Sequence, residues 1–88
     1  MTETILEEAE RIVGGDRRKD YGDVRVSFLR IADMWSGYLG HQITVSDVAH
    51  MMILMKVSRN AKNFKRDNLT DICGYARCAE MLLEGLPE

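Results

Sequence analysis

The chain has 88 residues, of which 45% are apolar and 30% charged, with one proline and a formal net charge of −2. That length holds one domain, residues 1–88, with room for one core that withdraws only ~60–65% of the unfolded surface from water. The lone Pro87 omits the punctuation of a many-turned β fold, no 18-residue uncharged run could cross a bilayer, and no basic start leads into an apolar run as in an export signal.

An all-α, cytoplasmic protein is therefore expected, and its helices can be read in chain order. Segment 4–13, TILEEAERIV, sets Ile5, Ala9, Ile12 and Val13 at helical spacing, with Thr4 and Glu7 in a capping-box pattern and Gly14-Gly15 as a stop. After the connector GGDRRKDYGD, Asp23 caps a second helix. In it Val24, Phe28, Ile31, Trp35, Tyr38 and Leu39 share one arc, Val26 and Leu29 point the other way, and Gly40 ends the helix. Thr44 or Ser46 caps a third helix running to about Asn63, whose core VAHMMILMKV is apolar around nearly its whole circumference. Asp67 or Asn68 caps a fourth, which ends at Gly85-Leu86-Pro87 with Leu69, Ile72, Ala76, Ala79 and Leu83 as its inner stripe. Short connectors suit antiparallel neighbours, so the expected fold is a small four-helix bundle. The third helix needs covering all round, and a homo-oligomer is the simplest way to supply it.

Charge is distributed unevenly. Residues 1–10 carry four acids and no base, residues 67–88 five acids and one base, and residues 11–66 eleven bases against five acids. The middle of the chain can attract an anion, although the whole is too acidic to suggest duplex DNA. On the third helix Lys56 and Arg59 lie about 60° apart and straddle the direction of Val48 and Met52. Cations on an apolar face must reach solvent or meet an anion. Asp71 on the fourth helix is the protein candidate for that anion, and a structural network of Lys56, Arg59 and Asp71 accounts for all three. One carboxylate does not neutralise two cations, so a ligand phosphate is the other candidate.

The opening connector has the parts of an anion site: Arg17, Arg18 and Lys19 as charges, Tyr21 as a flat face with a hydroxyl, Gly22 as a permissive turn, and the free N–H groups of the following helix. A solvated loop has the same composition, and the coincidence with Lys56 and Arg59 is what favours a site. Trp35 and Tyr38 read as core, and the methionines as adaptable packing. Neither His41 nor His50 has a second ligand at metal spacing, so no metal or other cofactor is expected. Cys73 and Cys78, five apart, match neither a CxxC pair nor a zinc knuckle and read as reduced thiols.

The runs DYGD (20–23), IADMWSGYLG (31–40), DVAHMMILMKVSR (47–59) and DNLTDICGYA (67–76) resemble a family of small, uncharacterised bacteriophage proteins over residues 17–83. In some relatives a similar domain is joined to a nucleoside deoxyribosyltransferase-like domain. The resemblance implies a phage origin and a nucleotide-related setting. More distantly the chain resembles the MazG-like all-α nucleoside triphosphate pyrophosphatases, which hold Mg²⁺ with ExxE and ExxD acids on two adjacent core helices. It departs from that pattern where the central helix offers Lys56 and Arg59 in place of carboxylates.

The expected function is capture of a phosphorylated, nucleotide-type ligand by a homo-oligomer, in design similar to the viral sponges that sequester nucleotide immune signals in anti-defence. Its residues would be Arg17, Arg18, Lys19, Tyr21, Gly22, Lys56, Arg59 and Asp71. Binding is favoured over catalysis because no Ser-His-Asp, Cys-His, GxxxxGK or HExxH arrangement is present. One alternative is a Mg²⁺-dependent pyrophosphatase using Glu7, Glu10, Asp67 and Asp71. Another is a protein-binding module built on the methionine-rich helix.

Overall fold

A computed structural model describes residues 2–15 and 23–84. They form four helices, α1 (Ile5–Gly14), α2 (Val24–Leu39), α3 (Val45–Lys62) and α4 (Arg66–Glu84), with no strand among the described residues. The connector residues Arg17, Arg18, Lys19, Tyr21 and Gly22, and the stop expected at 85–87, lie outside the described residues.

Local chemistry sets most of the boundaries. At α1 the Thr4 hydroxyl accepts from the Glu7 N–H at 3.1 Å, and the Glu7 carboxylate accepts from the Thr4 N–H at 3.0 Å. The same reciprocal pair, Thr44 with Asp47 at 3.0 and 2.9 Å, starts α3, so Thr44 rather than Ser46 is the cap. Asp23 accepts from the Arg25 N–H at 2.8 Å to open α2, and Gly40 closes it at φ 65°, a backbone region that glycine enters without steric cost. Helix α4 starts at Arg66, ahead of both expected caps. The reason is Asn60: its side-chain oxygen takes the Lys65 N–H at 3.0 Å and the Asn68 amide at 3.4 Å, which holds the turn and draws Asn68 into the helix, where it is buried.

Helices α3 and α4 pair as an antiparallel hairpin, with Lys56 beside Asp71 and Asn60 beside Asn68. The turn between α2 and α3 is held by Ser36, whose hydroxyl accepts from the Ile43 N–H at 2.8 Å. Phe28 and Ala32 of α2, Val48 and Ala49 of α3 and Leu82 of α4 make the core, with Ile31, Trp35, Met52 and Tyr75 packed around it. Helix α1 packs on α4 alone among the described residues. Ala9 is buried there, and Arg66–Glu8 (2.9 Å) and Arg77–Glu10 (3.0 Å) clip the two helices together.

Two expectations about faces are corrected. Tyr38 and Leu39 are exposed, because the last turn of α2 runs past the core that Phe28, Ala32 and Trp35 reach. The inner side of α4 is not the stripe Leu69, Ile72, Ala76, Ala79, Leu83: Ala76 and Leu83 are exposed, and Asn68, Thr70 and Leu82 are buried. Helix α4 touches all three others, and the face turned to them is built from small and polar residues that a stripe of large aliphatics does not reveal.

Candidate functional site

Because α1 and α2 both lean on α4 but do not pack on each other, a groove opens between them. It has a volume of about 220 Å³. Ala9, Ile12 and Val13 of α1 form one wall and Val24, Ser27, Phe28 and Ile31 of α2 the other. Met52 of α3 contributes, and the floor is α4, from Thr70 and Asp71 through Gly74, Tyr75 and Cys78 to Met81. Gly74 and Cys78 are small residues one turn apart, which lowers the floor. A Cβ placed on Gly74 would meet the Val13 side chain at 3.5 Å, an ordinary contact, so glycine here relieves no clash.

The lining is largely apolar, and most of its polar groups are already engaged. The Thr70 hydroxyl donates to the Arg66 carbonyl at 3.3 Å, and the Ser27 hydroxyl to the Val24 carbonyl at 3.4 Å. The charge in the groove is Asp71. Its Oδ2 lies 2.8 Å from Lys56 Nζ, with the two side chains only 13% and 12% exposed. Lys56 is its single ion-pair partner among the described residues. This groove therefore offers an apolar slot with a carboxylate at one end, already matched by one ammonium.

Of the expected site residues, the structure brings Lys56 and Asp71 together and places Arg59 elsewhere. Arg59 is exposed in the last turn of α3, where a cation complements the carbonyl end of the helix dipole. The pairing at Asp71 is one to one, not two cations on one acid. The four acids of the pyrophosphatase alternative are dispersed. Glu7 is in the α1 capping box, where the Thr4 N–H holds its carboxyl below the ordinary range. Glu10 pairs with Arg77, whose guanidinium it pushes above its ordinary value. Asp67 is exposed and Asp71 faces Lys56. Among the described residues no three His, Cys, Asp or Glu side chains come together as a metal site. Cys73 and Cys78 are half-buried and are not joined in a disulfide.

Sequence reasoning did not identify the groove itself. Its one legible signal was the pair of small residues Gly74 and Cys78, one turn apart on the fourth helix. Ser27 and Met81 enter the lining only through the placement of α1, which periodicity does not specify.

Residues 4–83 match a protein family described as "Domain of unknown function (DUF6378)". Two similar proteins are both named "Gene 55 protein", one from Mycobacterium phage D29 and one from Mycobacterium phage L5. The first is 48% identical over 96% of this chain and 56% of its own length, the second 44% identical over 97% and 54%. The chain thus spans little more than half the length of these phage relatives. No solved structure matches it significantly.

Proposed function

The chain belongs to the DUF6378 family, which has bacteriophage members, and from that premise and the α1–α2–α4 groove we propose that the domain binds a phosphorylated, nucleotide-type ligand. The observation that supports this most is the groove's combination of apolar walls with the Asp71 carboxylate. At about 220 Å³ it is smaller than the ~300–1,000 Å³ typical of pockets for drug-sized ligands, so it suits a base or nucleoside rather than a whole dinucleotide. In the proposal the flat, apolar faces of a base lie against Val13, Phe28 and Tyr75. Asp71 accepts from the N–H edge of the base or from ribose hydroxyls. A carboxylate in the slot repels phosphate, so the phosphates lie outside it; Arg17, Arg18 and Lys19, with Tyr21 and Gly22, which the sequence offers as their partners, lie outside the described residues. Lys56 positions Asp71 in this scheme and does not itself hold phosphate. Retention of the ligand without turnover, as a sponge, and self-association through the outer face of α3 belong to the same reading.

The test is a metal-free thermal-shift and calorimetric screen of mononucleotides, cyclic dinucleotides and ADP-ribose derivatives. A ligand present at a hundred times its Kd should raise Tm by about 10 °C or more for a domain of this size. Gly74→Leu, which puts a side chain into the slot beside Val13, should abolish that rise while the fold persists. The bound compound should be recovered intact. If no compound shifts Tm or releases heat, or if Gly74→Leu binds as the parent does, the proposal fails.

A further inference from the structure

The turn between α3 and α4 is a second surface with a different chemistry. Its sequence from Arg59 to Arg66, RNAKNFKR, places an aromatic ring among cations. Phe64 is 68% exposed. It stands one residue before the position that precedes α4, where a hydrophobic residue ordinarily folds back on the fourth residue of the helix, here Leu69. That contact would bury the ring, and the ring is left out in solvent instead. The turn is nevertheless held, since the half-buried Asn60 accepts from both the Lys65 N–H and the buried Asn68 amide. A fixed turn that presents an open aromatic face is a platform.

The charges around it are uncommitted. Arg66 is taken by Glu8 and by the Glu3 carbonyl, and Lys56 by Asp71. Arg59, Lys62 and Lys65 are exposed and form no ion pair among the described residues. Arg59 and Lys62 do complement the carbonyl end of α3, but that role accounts for neither Lys65 nor the exposed ring. None of these residues lines the groove.

We propose that this turn binds single-stranded nucleic acid, with a base stacked on Phe64 and the backbone phosphates met by Arg59, Lys62 and Lys65. Stacking suits any base, because every base has a π face, and the three cations match the phosphates on either side of it. An anionic lipid surface would use the same charges, but a single ring on a hydrogen-bonded turn is a shallow wedge without an amphipathic helix behind it. Duplex DNA offers no free base to stack, and the acids of α1 and α4 repel a strand from the rest of the molecule.

Fluorescence anisotropy with a labelled dodecathymidylate in a salt series tests it. The parent chain should bind at low salt, with log K falling against log salt at a slope of about −2 for three neutralised phosphates on a single strand. Phe64→Ala should weaken binding ~10-fold with the slope unchanged, Phe64→Trp should retain it, and the pair Lys62→Gln with Lys65→Gln should flatten the slope by about 1.4. Arg30→Gln, an exposed cation on α2, should bind as the parent does. Circular dichroism of each variant checks that the helices persist. Any of four results overturns the proposal: no binding at low salt, parental affinity in Phe64→Ala, equal loss in Arg30→Gln, or a preference for duplex or for phosphatidylserine vesicles over the single strand.

Discussion

Lys56 and Asp71 are the residues at which stability and the candidate site meet. Their side chains are almost wholly withdrawn from water, and each is the other's ion-pair partner. Removing one member leaves a charge in an apolar surrounding, which typically costs about 3–5 kcal/mol, whereas replacing both with apolar groups of similar size is often neutral or stabilising. Asp71→Ala should therefore lower the unfolding free energy by about 3 kcal/mol or more in urea titrations. Lys56→Met combined with Asp71→Leu should recover most of that loss while removing whatever ligand affinity depends on the carboxylate. A single Asp71→Ala that costs nothing would mean that water reaches the pair and that the groove is not the dry slot its lining implies.

At the scale of the helices, two of the four starts rest on reciprocal capping boxes, and this makes their stability depend on pH in a definite direction. The Thr44 N–H binds the charged form of Asp47 and lowers its carboxyl from the ordinary 3.8, as the Thr4 N–H lowers that of Glu7 from 4.5. A carboxyl depressed in the folded state contributes stability that is complete above its unfolded value and is lost as pH falls through the lower folded value. Thermal unfolding followed from pH 7 to 2 should show the parent losing its margin below about pH 4, with Asp47→Asn losing less over the same interval. If the two curves stay parallel, the capping carboxylate does not contribute in that window. The same caps explain why the starts of α1 and α2 were legible from Thr4 and Asp23, and that of α3 to within the choice of Thr44 or Ser46, since a cap needs only neighbours in sequence. The start of α4 was misread because its turn depends on Asn60, a residue of the preceding helix.

The whole molecule is more open than its length requires. Its radius of gyration is 13.8 Å, against about 12 Å for a compact chain of this size. Half of the six buried apolar residues among those described are alanines, while Leu29, Met34, Leu54, Val57 and Phe64 are each about half exposed or more. Covering one large aliphatic side chain contributes roughly 1.5–3 kcal/mol, a large share of the ~5–10 kcal/mol margin of a small domain. The outer face of α3, with Met51, Leu54 and Val57 exposed, is one place where a second copy would recover such area. Light scattering at micromolar concentration should report a mass of at least two chains, and Leu54→Glu should shift it to one. A parent chain that scatters as a monomer would show that this face stays open in solution.

By itself the sequence determined the all-helical class, four helices and the reciprocal cap of α1, because each of these follows from residues within one or two turns of one another. It also singled out Lys56 and Asp71 as partners, since an inward cation and an inward carboxylate on adjacent helices have few other ways to be satisfied. Only the tertiary structure decided that Arg59 turns to solvent, that the inner face of α4 is built from Asn68, Thr70 and Leu82, and that α1 packs on α4 and not on α2 among the described residues. The angle at which one short helix lies on another is set by small residues and by ion pairs such as Arg66–Glu8 and Arg77–Glu10, which join positions far apart in the chain. The groove exists because of that angle, and periodicity along a single helix carries no record of it.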